Sequence, residues 1–218
     1  MRRKLKRMGL VLVLFMSSRY VLTTPGLWHA LVADAPLPAV HLAYPAQHVP
    51  PARTTNEATF SIVGPPTISP GRIDAILIAY HSPAAGLGQY IYDTGVRYGI
   101  DPVHVLAIFL HESTMGTAGE AIKTMSPGNE RCIPDLPCVD LQLGGYAQMK
   151  SWQDGFAHLY ALLYAGYLKG GISSRCPCVT VSQIVPVFAP SPNGNDEQDY
   201  IQAWEHAVQA WRAGAINV

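Results

Sequence analysis

Between Gly99 and Gly116 the chain reads GIDPVHVLAIFLHESTMG, with apolar side chains around nearly the whole helical circumference. Val103, Leu106, Ala107 and Leu110 recur at intervals of three and four, and Val105, Ile108 and Phe109 fill most of the gaps. A helix greasy on all sides belongs in the middle of a domain. Asp101 is an N-cap type, Pro102 occupies the first helical position where its missing N–H does no harm, and Gly116 is the stop. The same period continues on either side. Ser69-Pro70 opens a short helix through Ile73, Ile76 and Leu77, and Ser82-Pro83 a longer one through Leu87, Ile91 and Val96, closed by Gly99. Ser151-Trp152-Gln153-Asp154 is a capping box for a helix carrying Phe156, Leu159, Tyr160 and Leu163 as far as Gly170-Gly171. Thr180-Val181-Ser182-Gln183 opens another, soon disturbed by Pro186, and a last helix from about Asp196 shows Tyr200, Trp204, Ala207, Val208 and Trp211 on one face. Alternation with period two is confined to the loop region between Gly116 and Lys150. The pattern predicts a mostly α domain with a long loop region that can hold a small hairpin.

Ahead of this domain the pattern changes. From Pro36 to Pro66 seven prolines stand among Ala, Thr, His and Val, which reads as a linker without its own core. Thr59–Val63 is a short alternating patch able to lie as a strand on the domain surface. Residues 1–35 combine a basic start with the apolar run Gly9–Met16, too short to span a bilayer. With Ala33-Asp34-Ala35 as a small-x-small site, they read as a secretory signal peptide, or, uncleaved, as a membrane anchor through residues 8–18. The folded unit is expected over 67–218.

Composition alters this picture in two ways. The 218 residues carry fifteen Lys/Arg and fifteen Asp/Glu, but six of the bases lie in the N-terminal stretch. From Pro36 onward nine bases face fourteen acids. No basic patch remains, and nucleic acid is not an expected partner. The four cysteines form two close pairs, Cys132/Cys138 and Cys176/Cys178. In an exported protein they suggest disulfides. The short Cys-Pro-Cys ring leaves crossed pairing open. The spacing does not suit zinc, and His111-Glu112 lacks the second histidine of a zinc helix because position 115 is Met. No metal or cofactor is expected.

The candidate chemistry sits at the end of the buried helix, at Glu112. Burial raises a carboxyl pKa toward the range where it can hold a proton near neutrality, as a general acid requires. An acid in the last turn is disfavoured by the helix dipole, so helix stability alone does not account for it. An ordinary solvated residue is the competing interpretation.

The ordered series Ile100-Asp101-Pro102 … His111-Glu112-Ser113 … Gly116-Thr117, Ser126-Pro127-Gly128-Asn129-Glu130-Arg131-Cys132, Gly144-Gly145-Tyr146-Ala147-Gln148-Met149 … Ser151-Trp152 resembles the bacterial endo-β-N-acetylglucosaminidase (autolysin) family. The stretch from Ile184 through Asn193-Gly194-Asn195-Asp196 to Tyr200-Ile201 is similar to that family's C-terminal part. The resemblance spans about Thr67 to Ala213. It implies a lysozyme-like fold and cleavage of β-1,4 bonds at N-acetylglucosamine in peptidoglycan glycan strands, by a monomer. It makes Glu112 the proton donor, places Asn129 along the cleft, and sets Tyr146 opposite the acid. Ser113 and Gln148, within the matched motifs, are expected to touch substrate. Glu130 departs from the pattern, standing where related sequences tend to be apolar. A second carboxylate would come from Glu120, Glu130, Asp135 or Asp140, with Asp140 favoured because it directly precedes the Tyr146 segment. The alternative is participation of the substrate's own 2-acetamido group. A lytic transglycosylase of the same fold and a wall-binding module without turnover are the rival functions.

Overall fold

The computed structural model describes residues 60–191 and 194–218. The signal or anchor of residues 1–35 lies outside these residues, as does most of the proline-rich linker. Among the described residues no helix is long and apolar enough to cross a membrane. Seven α-helices dominate the described residues: α1 (Pro70–Ala79), α2 (Gly88–Tyr98), α3 (Pro102–Ser113), α4 (Ala121–Thr124), α5 (Trp152–Ala161), α6 (Val181–Phe188) and α7 (Glu197–Arg212). The α5 rod continues as a π-helical segment over Leu162–Leu168. The loop region holds a minimal hairpin in which β1 (Cys138–Val139) pairs antiparallel with β2 (Tyr146–Ala147). The protein is mostly α.

Helix α3 is the central rod. Every residue from Pro102 to Phe109 is buried, and α7 packs along it while α1, α2 and α5 form a second packed series. Its start follows the sequence: the Asp101 carboxylate accepts the Val103 N–H at 3.2 Å. That carboxylate also anchors a network. Thr67 Oγ1 donates to Asp101 Oδ2 at 2.5 Å, and Arg212 Nη2 reaches the same oxygen at 2.9 Å. Buried His104 accepts the Trp204 indole N–H on Nδ1 at 3.0 Å. The beginning of α3 and the end of α7 are thereby tied together. Burial holds the His104 pKa down at about 3, so the ring is neutral near pH 7.

Three elements differ from the sequence expectation. Ser82-Pro83 does not open α2: the Ser82 hydroxyl caps a local turn through the Ala84 N–H, and α2 begins at Gly88. The missing cap comes from α1, where Asp74 Oδ1 accepts the N–H groups of Gly86 at 3.0 Å and Gly88 at 2.8 Å. Val96 faces solvent rather than the core. Finally, the packed unit reaches back before Thr67. Phe60 and Ile62 are core residues. Ile62 donates to the Val179 carbonyl and accepts from the Asp101 N–H, both at 2.9 Å. The alternating patch foreseen as a surface strand splices the α3 and α6 entrances through single bridges, with Phe60 and Ile62 turned into the core and Val63 exposed.

Each cysteine pairs with its near neighbour, Cys132 with Cys138 and Cys176 with Cys178, which removes the crossed alternative. Such bonds suit an oxidising, extracytoplasmic setting.

Candidate active site

Helix α3 ends abruptly just after Glu112. Thr114 and Met115 turn left-handed (φ 49° and 56°) ahead of Gly116, and the Thr114 and Met115 N–H groups return to Leu110 and Phe109. Ser113 serves this turn. Its hydroxyl donates to the Phe109 carbonyl at 3.1 Å and accepts the Gly116 N–H at 3.0 Å. It is buried and does not line the cavity described below, which corrects the expectation of a substrate contact. Gly116 is required twice over, for its φ of 82° and because a β-carbon would strike the Trp152 ring.

The Glu112 side chain is part-exposed at the wall of a cavity of about 610 Å³. Three groups hold it. The Tyr200 hydroxyl, from α7, donates to Oε1 at 2.8 Å. The Asn129 amide donates to Oε2 at 3.2 Å and to the Glu112 backbone carbonyl at 2.9 Å. The Arg131 charge acts from the neighbouring loop. Burial pushes the carboxyl above the ordinary carboxylate range, and the Tyr200 and Asn129 hydrogen bonds and Arg131 partly oppose this. Burial, with Glu112 beside it, keeps the Tyr200 phenol far above its usual pKa, so it remains a donor. His111 lies stacked on the Tyr200 ring with centroids 3.6 Å apart. Burial lowers its pKa, so the imidazole is neutral at pH 7.

The loop carrying Asn129 is seated by glycine. Gly155 on α5 has no side chain, and a β-carbon there would overlap the Met125 carbonyl and approach Pro127 Cδ at 2.8 Å. The loop then turns through Ser126, whose hydroxyl accepts the Glu130 N–H at 3.0 Å. Asn129 itself takes a left-handed φ of 47°, a conformation asparagine tolerates better than most residues. The hairpin follows. Arg131 bridges to Tyr146, and its guanidinium covers that ring at 4.4 Å from the centroid.

Of the residues expected from sequence, Glu112, Asn129 and Tyr146 all line the one cavity. Asp140 does not. Its carboxylate receives Lys123 Nζ at 3.0 Å and Gln142 Nε2 at 3.3 Å, and bonding within this surface group, which includes Glu120, lowers its pKa. The hairpin turn points Asp140 toward α4, which corrects its choice as second catalytic carboxylate. Glu120 and Asp135 also lie off the cavity wall. Gln148 instead donates to the Lys123 backbone carbonyl at 3.2 Å and pins the hairpin to α4.

Sequence reasoning did not assign Tyr200 or Tyr167 to the site. Tyr200 was legible only on the apolar face of the last helix and within the stretch similar to the family's C-terminal part, and Tyr167 was not singled out. The available signal was chemical: a buried tyrosine needs a partner for its hydroxyl. Among the described residues the cavity wall carries two carboxyls, Glu112 and Glu130. The described residues contain no cluster of side chains suited to hold a metal ion.

No protein-family model and no curated protein matches the chain.

Proposed function

We propose that the protein is a glycoside hydrolase that cuts β-1,4 bonds at N-acetylglucosamine in peptidoglycan glycan strands, within a lysozyme-like fold, with Glu112 as general acid. One observation carries this reading. A carboxyl whose pKa is raised by burial stands at the end of a rigid buried helix, is oriented by two side-chain donors, and faces a cavity large enough for sugar units, which Tyr146 also lines. Protonated Glu112 gives its proton to the glycosidic oxygen as the bond to C1 breaks, and the leaving sugar departs as an alcohol. The positive centre left at C1 then needs an electron pair.

Neither cavity carboxyl suits a permanent anionic nucleophile, since burial raises the pKa of both. This favours substrate assistance. The carbonyl oxygen of the 2-acetamido group attacks C1 and closes a cyclic oxazolinium ion. Glu112, now a carboxylate, takes a proton from water as that water attacks C1 and reopens the ring. The same lack of an ionised partner suits a lytic transglycosylase, in which a sugar hydroxyl replaces water and yields a 1,6-anhydro end. The products separate the two: new reducing N-acetylglucosamine ends against anhydro ends.

The experiment is muropeptide analysis and cell-wall zymography of the protein and its Glu112→Gln variant. Loss of the acid is expected to reduce turnover by about 10²–10⁴-fold. Clearing by Glu112→Gln equal to that of the parent refutes the mechanism. Sacculus binding without release of any glycan product by the parent would assign a wall-binding module instead.

A further inference from the structure

Glu130 is the group in the cavity wall that the mechanism above leaves unused. It is 7% exposed, it lines the cavity, and its buried Oε1 has no hydrogen-bond partner. The position is one a folded chain would fill with an apolar side chain, because an unpaired buried carboxylate costs several kcal/mol. Burial, reinforced by the negative charge of Asp154 on α5, pushes its pKa up to about 8. At neutral pH the group is therefore a carboxylic acid, with a proton to donate as well as oxygens to accept. The adjacent Asn129 Oδ1 is likewise buried without a partner. Unpaired polar atoms are rare inside proteins. Two together at the edge of an open cavity leave this wall short of partners from the protein itself.

The remainder of the wall narrows the chemistry. Ile133, Leu162 and Ile172 supply apolar surface, which suits a methyl group. An uncharged donor suits a carbonyl oxygen. An ammonium would favour loss of the Glu130 proton to water and so remove the donor, and an anion would be repelled once the carboxyl ionised. A methyl joined to a carbonyl is the acetyl portion of an acetamido group.

We propose that Glu130 is a second glycan-contacting acid of the cavity, donating a hydrogen bond from its carboxyl to the acetamido carbonyl of a bound N-acetylated sugar. The proposal rests on the glycan reading of the cavity and gives that reading a specificity determinant. Ionisation of Glu130 removes the donor and places a negative charge against the acceptor, so glycan affinity falls as pH rises past about 8. The groups around it do not produce this dependence. His111 on α3 and His158 on α5 are both held below the ordinary histidine range, and Tyr167 and Tyr200 above the ordinary tyrosine range. Arg131 and Asp154 contribute fixed charges of opposite sign, and Glu112 is removed from the titration by substitution.

The test uses Glu112→Gln protein, which binds without turnover, and peptide-free peptidoglycan glycan strands as ligand. By calorimetry its affinity is expected to weaken about tenfold between pH 7 and pH 9.5. The Glu112→Gln/Glu130→Gln double variant, whose amide donates at every pH, is expected to lose that dependence. Carbon-13 NMR of the Glu130 carboxyl in the single variant gives a second readout that does not require the double variant to fold. Saturating strands are expected to raise its midpoint by about one pH unit, the linkage equivalent of a tenfold affinity ratio. Affinity independent of pH in the single variant, the same pH dependence in the double variant, or an unmoved carboxyl midpoint each overturns the proposal alone. Absence of strand binding at every pH by the Glu112→Gln protein overturns the glycan reading itself.

Discussion

Replacing Tyr200 with phenylalanine removes one oxygen and leaves nearly everything else. The ring keeps its stack on His111 and its contacts with Phe188 and Trp204, so the variant folds. What goes is a 2.8 Å hydrogen bond into Glu112 Oε1. Hydrogen bonds to charged groups contribute roughly 1.5–3 kcal/mol, and one pKa unit corresponds to about 1.36 kcal/mol. The phenol favours the ionised carboxylate, so its loss raises the Glu112 pKa and costs the carboxylate roughly 1.5–3 kcal/mol. Asn129 still donates to the other oxygen, which favours the lower end. As the proposed general acid, Glu112 would act in its protonated form, and activity would fall as pH rises through its pKa. A raised pKa therefore moves the alkaline limb of the pH–rate profile to higher pH. The assay is release of reducing ends from purified cell wall across pH 5–10, measured in a Glu130→Gln background so that a second buried acid does not blur the limb. An unmoved limb, or one displaced to lower pH, would refute the assignment of Tyr200 as the group that tunes the acid.

Three further predictions follow from the same geometry. Asp140→Asn breaks a surface ion pair with Lys123 and leaves the cavity untouched, so wall-hydrolysing activity should remain within a few-fold of the parent; a loss of a hundredfold or more would restore Asp140 as a catalytic candidate. Glu130 is raised from 4.5 to about 8 in the folded protein, so between these values the native state holds a proton the unfolded chain lacks, and the parent loses stability as pH rises through this window. Glu130→Gln should therefore be stabilising relative to the parent, by a margin that grows from pH 4.5 to pH 8 toward an upper bound of about 5 kcal/mol; thermal melts with a margin that is flat or shrinks with pH would contradict it. Gly155→Ala forces the Met125 carbonyl away from α5 and displaces the Asn129 loop, so it should lower both melting temperature and turnover, and a variant matching the parent in both would show that the loop is not seated there.

The helices were legible wherever a periodic face coincided with a local cap. Asp101-Pro102 and Gly99 marked the boundaries of α3 and α2, and Ser69, Ser151 and Asp196 marked three other starts. The start of α2 was missed because its cap is supplied by Asp74 from the preceding helix, a tertiary contact that no local motif encodes. Phe60 and Ile62 were hidden by the prolines around them, and only the partners at Val179 and Asp101 explain their burial. In the site, Glu112 could be singled out because its placement at the end of a greasy rod is a one-dimensional pattern. Asp140 was misplaced because proximity to Tyr146 along the chain does not set direction across a hairpin. Ser113 and Gln148 were polar residues within the matched motifs whose hydrogen bonds turn inward to backbone. Tyr200 came from the far end of the chain, where its apolar face concealed a polar tip.

Helices α3 and α7 are joined at one end by the Asp101–Arg212 and His104–Trp204 contacts and at the other by Tyr200 on Glu112. The Glu112 carboxyl thus takes its coordinates from two long rods clamped like the rails of a ladder. The hairpin region leans against that frame and contributes little to it beyond Asn129. Such a division of labour lets the hairpin beyond Arg131 be lengthened, shortened or exchanged while the Glu112 carboxyl keeps its address.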